Sequence, residues 1–174
     1  MRKVLFLCLG VFLCICLNCY AENVKINPEI EIYFTFKDDC SKILSEKMDK
    51  AKKSIYFCTY SLTDPYISAA LIRAKKRGIA VSGVTEKQNA AGKGAKFKEL
   101  KDAGVDIYLD DNSALMHHKF VVIDNFTIGT GSFNWTKNAN EKNNENLVFM
   151  QGKEAAELFY KEYKSVYWKA KYEK

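Results

Sequence analysis

Met116-His117-His118-Lys119-Phe120-Val121-Val122-Ile123-Asp124 joins a basic doublet to an apolar, β-branched run. Phe120 to Ile123 is short and rich in β-branched residues, which reads as a buried strand. Side chains alternate across a strand, so His117 and Lys119 emerge on one face and His118 on the other. After six further residues, Gly131-Ser132-Phe133-Asn134-Trp135 repeats the two-residue spacing and sets Ser132 and Asn134 on one face. An imidazole beside a fixed ammonium suits nucleophilic attack on a phosphate whose charge must be held.

Outward from this centre, the first half of the chain alternates strands and helices. Strands are expected at Glu31–Phe36, Ser54–Tyr60, Ile79–Val84 and Val105–Leu109. Between them, Asp38-Asp39 caps a helix carrying Cys40, Ile43, Leu44, Met48 and Ala51 at helical spacing. Thr63-Asp64-Pro65 starts a second helix, which closes at Lys75-Lys76-Arg77-Gly78. Glu86–Gly94 reads as a polar loop and Lys96–Ala103 as a short helix. The second half places strands at His118–Ile123, Phe126–Ser132 and Glu145–Met150 with short connections, then an amphipathic helix over Glu154–Ala170. Alternating elements imply right-handed crossovers. The expected class is α/β, a mixed and largely parallel β-sheet flanked by helices.

The 174 residues suffice for one domain with a real core, and 48% are apolar, with few Gly and Pro and no repeat. That excludes a disordered or fibrous chain. The N-terminus stands apart: Met1-Arg2-Lys3, an apolar run from Val4 to Leu17, then Cys19-Tyr20-Ala21. This is the layout of a secretory signal peptide cleaved after Ala21, and the run is short for a membrane span of roughly 20 residues. An uncleaved anchor is the competing reading. The expected domains are therefore 1–21, signal segment or anchor, and 22–174, with an extracytoplasmic location and membrane association through the N-terminal segment as its variant. Losing Arg2 and Lys3 and no acid lowers the net charge from +6 to +4, which suits a polyanionic partner without deciding it.

Cys40 and Cys58 are the two cysteines outside the signal region. Neighbouring ends of a βαβ unit would let them form a disulfide in an oxidising compartment, and two small buried thiols are the alternative. The two histidines are adjacent and face opposite ways, so a metal site is the weak reading. Lys87, Lys93, Lys96, Lys98, Lys137 and Lys142 could guide a nucleic-acid backbone or form an ordinary solvated surface. Trp135 reads as core, and Phe159, Tyr163, Tyr167 and Trp168 as packing of the last helix.

Together, His117-x-Lys119-x4-Asp124, Gly131-Ser132-x-Asn134, Trp135-Thr136-Lys137 and Asn143-x-Glu145-Asn146 resemble the signature of the phospholipase D superfamily. The match looks closest to its small, single-motif bacterial endonucleases and runs from about Glu31 to the C-terminal helix. The resemblance implies a phospholipase D/nuclease-like fold and metal-independent hydrolysis of phosphodiester bonds in DNA, and in RNA as an extension, with no cofactor. His117 would be the nucleophile that forms a phosphohistidine. Lys119, Ser132 and Asn134 would hold the non-bridging phosphate oxygens, and Glu145 would orient the imidazole. Asp124 lies an odd number of positions from His117 and reads as structural. A second histidine must protonate the leaving oxygen; His118 faces the wrong way, so the implied assembly is a homodimer with one composite site and a bell-shaped pH profile. DNA uptake or nucleotide salvage would fit such a secreted nuclease. Two rivals stay open: a lipid hydrolase of the phospholipase D type, favoured by an apolar patch beside the site, and a DNA-binding uptake protein without turnover.

Overall fold

A computed structural model describes residues 29–173. The signal segment expected over 1–21 lies outside the described residues. Seven strands form one sheet: β1 Ile30–Phe34, β2 Ser54–Thr59, β3 Ala80–Glu86, β4 Asp106–Asp110, β5 Lys119–Ile123, β6 Thr127–Gly131 and β7 Asn146–Gln151. Their spatial order is β1-β7-β6-β5-β2-β3-β4.

The expectation of a mixed sheet with flanking helices holds, but that of a largely parallel one needs correction. β2–β3 and β3–β4 pair in parallel, whereas β1–β7, β7–β6, β6–β5 and β5–β2 are antiparallel. Parallel neighbours need a long crossover. Helices α2 (Pro65–Lys76) and α4 (Phe97–Asp102) supply two of these, while β5 and β6 are joined by a tight turn. β1 is not beside β2 at all; it closes the far edge against β7.

Helix α1 (Cys40–Asp49) lies with α2 on one face of the sheet, and α6 (Lys153–Tyr172) covers the other. Both helix starts are capped as their sequences ask. Asp39 accepts from Lys42 N, and Asp64 accepts from Tyr66 N and Ile67 N ahead of Pro65. Asp64 is itself buried, and its second oxygen accepts from Ser41 Oγ at 2.6 Å, which ties α2 to α1. Two further short helices, α3 (Lys87–Ala90) and α5 (Lys137–Lys142), occupy segments read as loop from the sequence.

Strand alternation sorts the core into two layers. Val121 and Ile123 join Phe57, Leu44, Met48 and Trp135 under α1 and α2. Phe120 and Val122 join Cys58, Val84 and Tyr163 under α6. A large apolar side chain so buried contributes about 1.5–3 kcal/mol. Trp135 is core, as expected. The layering also settles the cysteines: Cys40 and Cys58 belong to different layers, and both are free, buried thiols. The disulfide reading fails because Cys58 of β2 points to the α6 face of the sheet, whereas Cys40 lies on the α1–α2 face.

Candidate active site

The expected residues gather at one end of the sheet, where β2, β6 and β1 finish and β5 and β7 begin. Lys119, first residue of β5, is opposite Thr59 at the end of β2. It is only 9% exposed. Its Nζ donates to the His117 carbonyl at 2.7 Å and sits 5.0 Å from the Tyr60 ring centroid. The His117 ring is exposed and tilts against the same Tyr60 ring at 4.5 Å. Tyr60 thus backs both groups; its N–H donates to the His118 carbonyl, extending the β2–β5 ladder by one step. Burial holds the Lys119 ammonium below the ordinary lysine range, partly offset by the nearby charge of Glu145.

His118 points to the other face, as the period of two requires. Its ring lies against Phe120, and Nε2 is 3.0 Å from Glu162 on α6. The His118 ring thus turns toward α6 and away from the Tyr60–Lys119 cluster.

The second half of the site is built on Gly131. Its φ of +149° suits glycine, and a side-chain carbon there would collide with the Asn146 carbonyl. This close approach lets two strand ends interlock. Ser132 N donates to Asn146 Oδ1 at 3.3 Å, and Asn146 N donates to Ser132 Oγ at 3.1 Å. Ser132 Oγ in turn donates to Glu145 Oε2. The other Glu145 oxygen accepts from Asn143 Nδ2 at 3.0 Å. Thr35, just past β1, fixes the backbone from beneath: Glu145 N donates to Thr35 Oγ1 at 2.8 Å, and Thr35 Oγ1 donates to the Asn143 carbonyl at 2.6 Å. The Glu145 carboxylate thus bonds to Ser132 and Asn143, while the His117 ring packs on Tyr60.

Asn134 is half-buried between the core residues Phe133 and Trp135, and its amide oxygen is buried without a partner in the folded chain.

Asp124 stands at the opposite end of β5. It and Asn125 adopt positive φ of 55° and 53° in the β5–β6 turn, a backbone that short polar side chains tolerate. Its carboxylate accepts from the backbone N–H of Lys52, Lys53 and Ser54 at 2.7–3.2 Å. Burial works against its charge, but those three donors win and hold it below the usual carboxylate range. It fastens the turn to the start of β2, well removed from the reactive end.

Sequence reading missed Tyr60, Thr35, Asn143 and Asn146 as parts of this constellation. Asn143 and Asn146 lay inside a quoted motif without an assigned role; Tyr60 and Thr35 had no signal, since both act across strand pairs distant in sequence. Several of the candidate lysines are engaged with acids. Lys87 meets Asp111, Lys96 meets Glu99, Lys98 meets Asp102 and Lys137 meets Glu141, which favours the ordinary solvated surface for those four.

Among the described residues, no helix is long and apolar enough to cross a membrane. One edge is nonetheless apolar and open: Ile30, Ile32 and Phe34 alternate on β1 with about half of each exposed, and Phe36 follows.

Comparison with known proteins agrees with this fold. The family described as "Cardiolipin synthase, PLD-like domain" matches residues 44–167. A phospholipase D of Rickettsia felis is 32% identical over 140 residues, covering 80% of this chain and 70% of its own length. A mitochondrial cardiolipin hydrolase of Xenopus tropicalis is 30% identical over 118 residues, 68% of this chain and 56% of that protein. Among solved structures, the phospholipase D family member Nuc from Salmonella typhimurium superposes with a TM-score of 0.77 at 32% identity, over 82% of this chain and 95% of Nuc. NucT from Helicobacter pylori shares the fold with a TM-score of 0.71 at 22% identity, over 79% and 96% of the two chains.

Proposed function

Because this chain belongs to the phospholipase D superfamily, we propose that it is a phosphodiester hydrolase that cleaves DNA without sequence preference. The observation that carries this reading is the meeting of an exposed imidazole and a buried ammonium against one aromatic ring, within the field of the Ser132–Glu145 pair. That set supplies a nucleophile, a fixed positive charge and hydroxyl and amide groups at one end of one sheet.

In this mechanism a His117 ring nitrogen attacks phosphorus. The bond to the leaving oxygen breaks, and a phosphohistidine forms. Lys119, Ser132 and Asn134 take the non-bridging oxygens. Water then attacks phosphorus, its proton passing to the imidazole that served the leaving oxygen, the P–N bond breaks, and His117 is released. The leaving oxygen needs a proton from a second imidazole. His118 lies on the wrong face of the sheet, so that proton comes from His117 of the partner subunit in a homodimer with one composite site. The same chemistry needs no resident metal. A signal segment over 1–21 would place the enzyme outside the cytoplasm, where DNA uptake or nucleotide salvage is its natural context.

The test is to incubate the purified chain with plasmid, single-stranded DNA and RNA, with and without chelator, beside vesicles of phosphatidyl lipids. Nicking of DNA that survives chelation and is abolished by His117→Ala supports the reading. DNA that stays intact while the vesicles are hydrolysed overturns it. A pure binder would keep its DNA affinity in His117→Ala and turn nothing over in any form.

A second reading, lipid hydrolysis, has one observation in its favour. The open apolar row of Ile30, Ile32 and Phe34 leads directly to Thr35, which supports Glu145. An apolar surface beside the reactive end is what an enzyme working at a lipid interface would present.

A further inference from the structure

At the far end of β2 from the reactive residues, between α6 and the sheet, lies an open cavity of about 470 Å³. It has no part in the site described above. Aromatic rings make up much of its wall. Tyr56 of β2 stands 4.8 Å from Tyr160 and 5.1 Å from Tyr163, and Tyr160 and Tyr163 stack at 5.9 Å with their planes 18° apart. Trp168 extends the wall outward, 59% exposed and 4.3 Å from Tyr172. Two lysines border the opening: Lys75 at the end of α2, and Lys164, whose Nζ lies 5.0 Å from the Tyr160 ring.

The floor is polar and ordered. Tyr163 OH donates to Ser82 Oγ at 2.7 Å, and Tyr167 OH donates to Asp106 Oδ2 at 2.6 Å. Burial works against the Asp106 charge, yet its bonds from Tyr167 and Ser82 and the nearby Lys171 keep the carboxyl below its usual range. A bare anion would meet this carboxylate, and an alkyl chain would gain little from a polar floor. A flat ring with amino edges and a phosphate attached fits both features: rings to stack on, an acceptor beneath, and ammonium groups at the rim.

We propose that this cavity receives an unpaired base of a single-stranded nucleic acid, with Lys75 and Lys164 meeting the adjoining phosphate. The proposal rests on the nucleic-acid reading of the active site and adds a second point of contact to it. Tyr56 of β2 comes four positions before Tyr60, which follows that strand, a rise of roughly 13 Å, and the cavity opens on the α6 face of the sheet, the face that His118 takes. The cavity is therefore a separate anchoring point for a bound strand, outside the cleavage site beside His117.

The chain has two tryptophans, and Trp135 is buried in the core. Trp168 fluorescence therefore reports the cavity directly. Titration with a 12-residue oligodeoxycytidylate should quench it in step with binding followed by anisotropy. Trp168→Phe should remove the quenching. Trp168→Ala should weaken oligonucleotide binding about tenfold, within the range of one base–aromatic stack. The double variant Lys75→Ala/Lys164→Ala should flatten the slope of log affinity against log salt by about 0.7, the share of one phosphate on a single strand. All three variants should hydrolyse the small phosphodiester bis(4-nitrophenyl) phosphate at the unaltered rate, since it does not reach the cavity. If the oligonucleotide binds with no change in Trp168 fluorescence and the variants bind equally well, the aromatic site is refuted and the nucleic-acid reading stands. If the unaltered chain binds no oligonucleotide but hydrolyses phosphatidyl lipid, both are refuted.

Discussion

Lys119 shows how one residue can be both core and chemistry. Its stem is buried at the head of β5, and burial lowers the pH at which its ammonium loses its proton, with Glu145 resisting. If that charge holds the phosphate, kcat/KM should decline on the alkaline side at a lower pH than an ordinary lysine would allow. Glu145→Gln removes the resisting charge and should move that alkaline limb further down. Lys119→Arg, which stays protonated throughout, should abolish the limb even where turnover is reduced; a rate profile from neutral to high pH reads both effects. Asp124 provides the contrast, a motif residue whose work is mechanical. Asp124→Ala strips three backbone donors of a charged acceptor and should cost about 2 kcal/mol, with activity per folded molecule unchanged. Its folded-state carboxyl ionises below the usual range, so its contribution is complete above the ordinary carboxylate pKa and is lost as pH falls through the lowered one. Denaturant melts at neutral and acidic pH would show the Asp124→Ala penalty shrinking on the acidic side.

Among the elements, the hinge of the site is the crossing of the β6 and β7 ends. Ser132 follows β6 and Glu145 precedes β7, and they meet because Gly131 lets the two backbones touch. Gly131→Ala should therefore cost about 1–3 kcal/mol in strain. It should also lower kcat at least tenfold by displacing Ser132, whereas alanine at an open turn such as Gly94 should leave kcat alone. Much of this level was readable in advance. The apolar run at Phe120–Ile123, the cap at Asp64-Pro65 and the C-terminal amphipathic helix all rest on local periodicity and capping chemistry, and all form where expected. The short helices α3 and α5 were not legible, because a single turn set by one capping residue leaves no periodic pattern.

For the whole molecule, the proposed mechanism gives each folded chain one histidine, His117, beside Tyr60 and Lys119. A composite site in a dimer makes a quantitative prediction. When unaltered chain and His117→Ala are unfolded together in equal amounts and refolded, only dimers with two native histidines would work. Activity should then fall to about a quarter of that of the unaltered chain, where independent sites would retain about half. Light scattering that finds an active monomer would end the composite-site account.

The sequence by itself determined which residues share a face, because strand alternation is set by neighbouring peptide units. His117 with Lys119, and His118 opposed to both, needed nothing more. Tertiary structure alone decided the strand order. β1 lies beside β7 through pairings more than a hundred residues apart, such as Thr35 with Glu145. Strand pairing is chosen by the complementarity of whole surfaces and by which crossovers can close, so no short stretch encodes it. That choice made the sheet mostly antiparallel and brought Tyr60 and Thr35 to the reactive end.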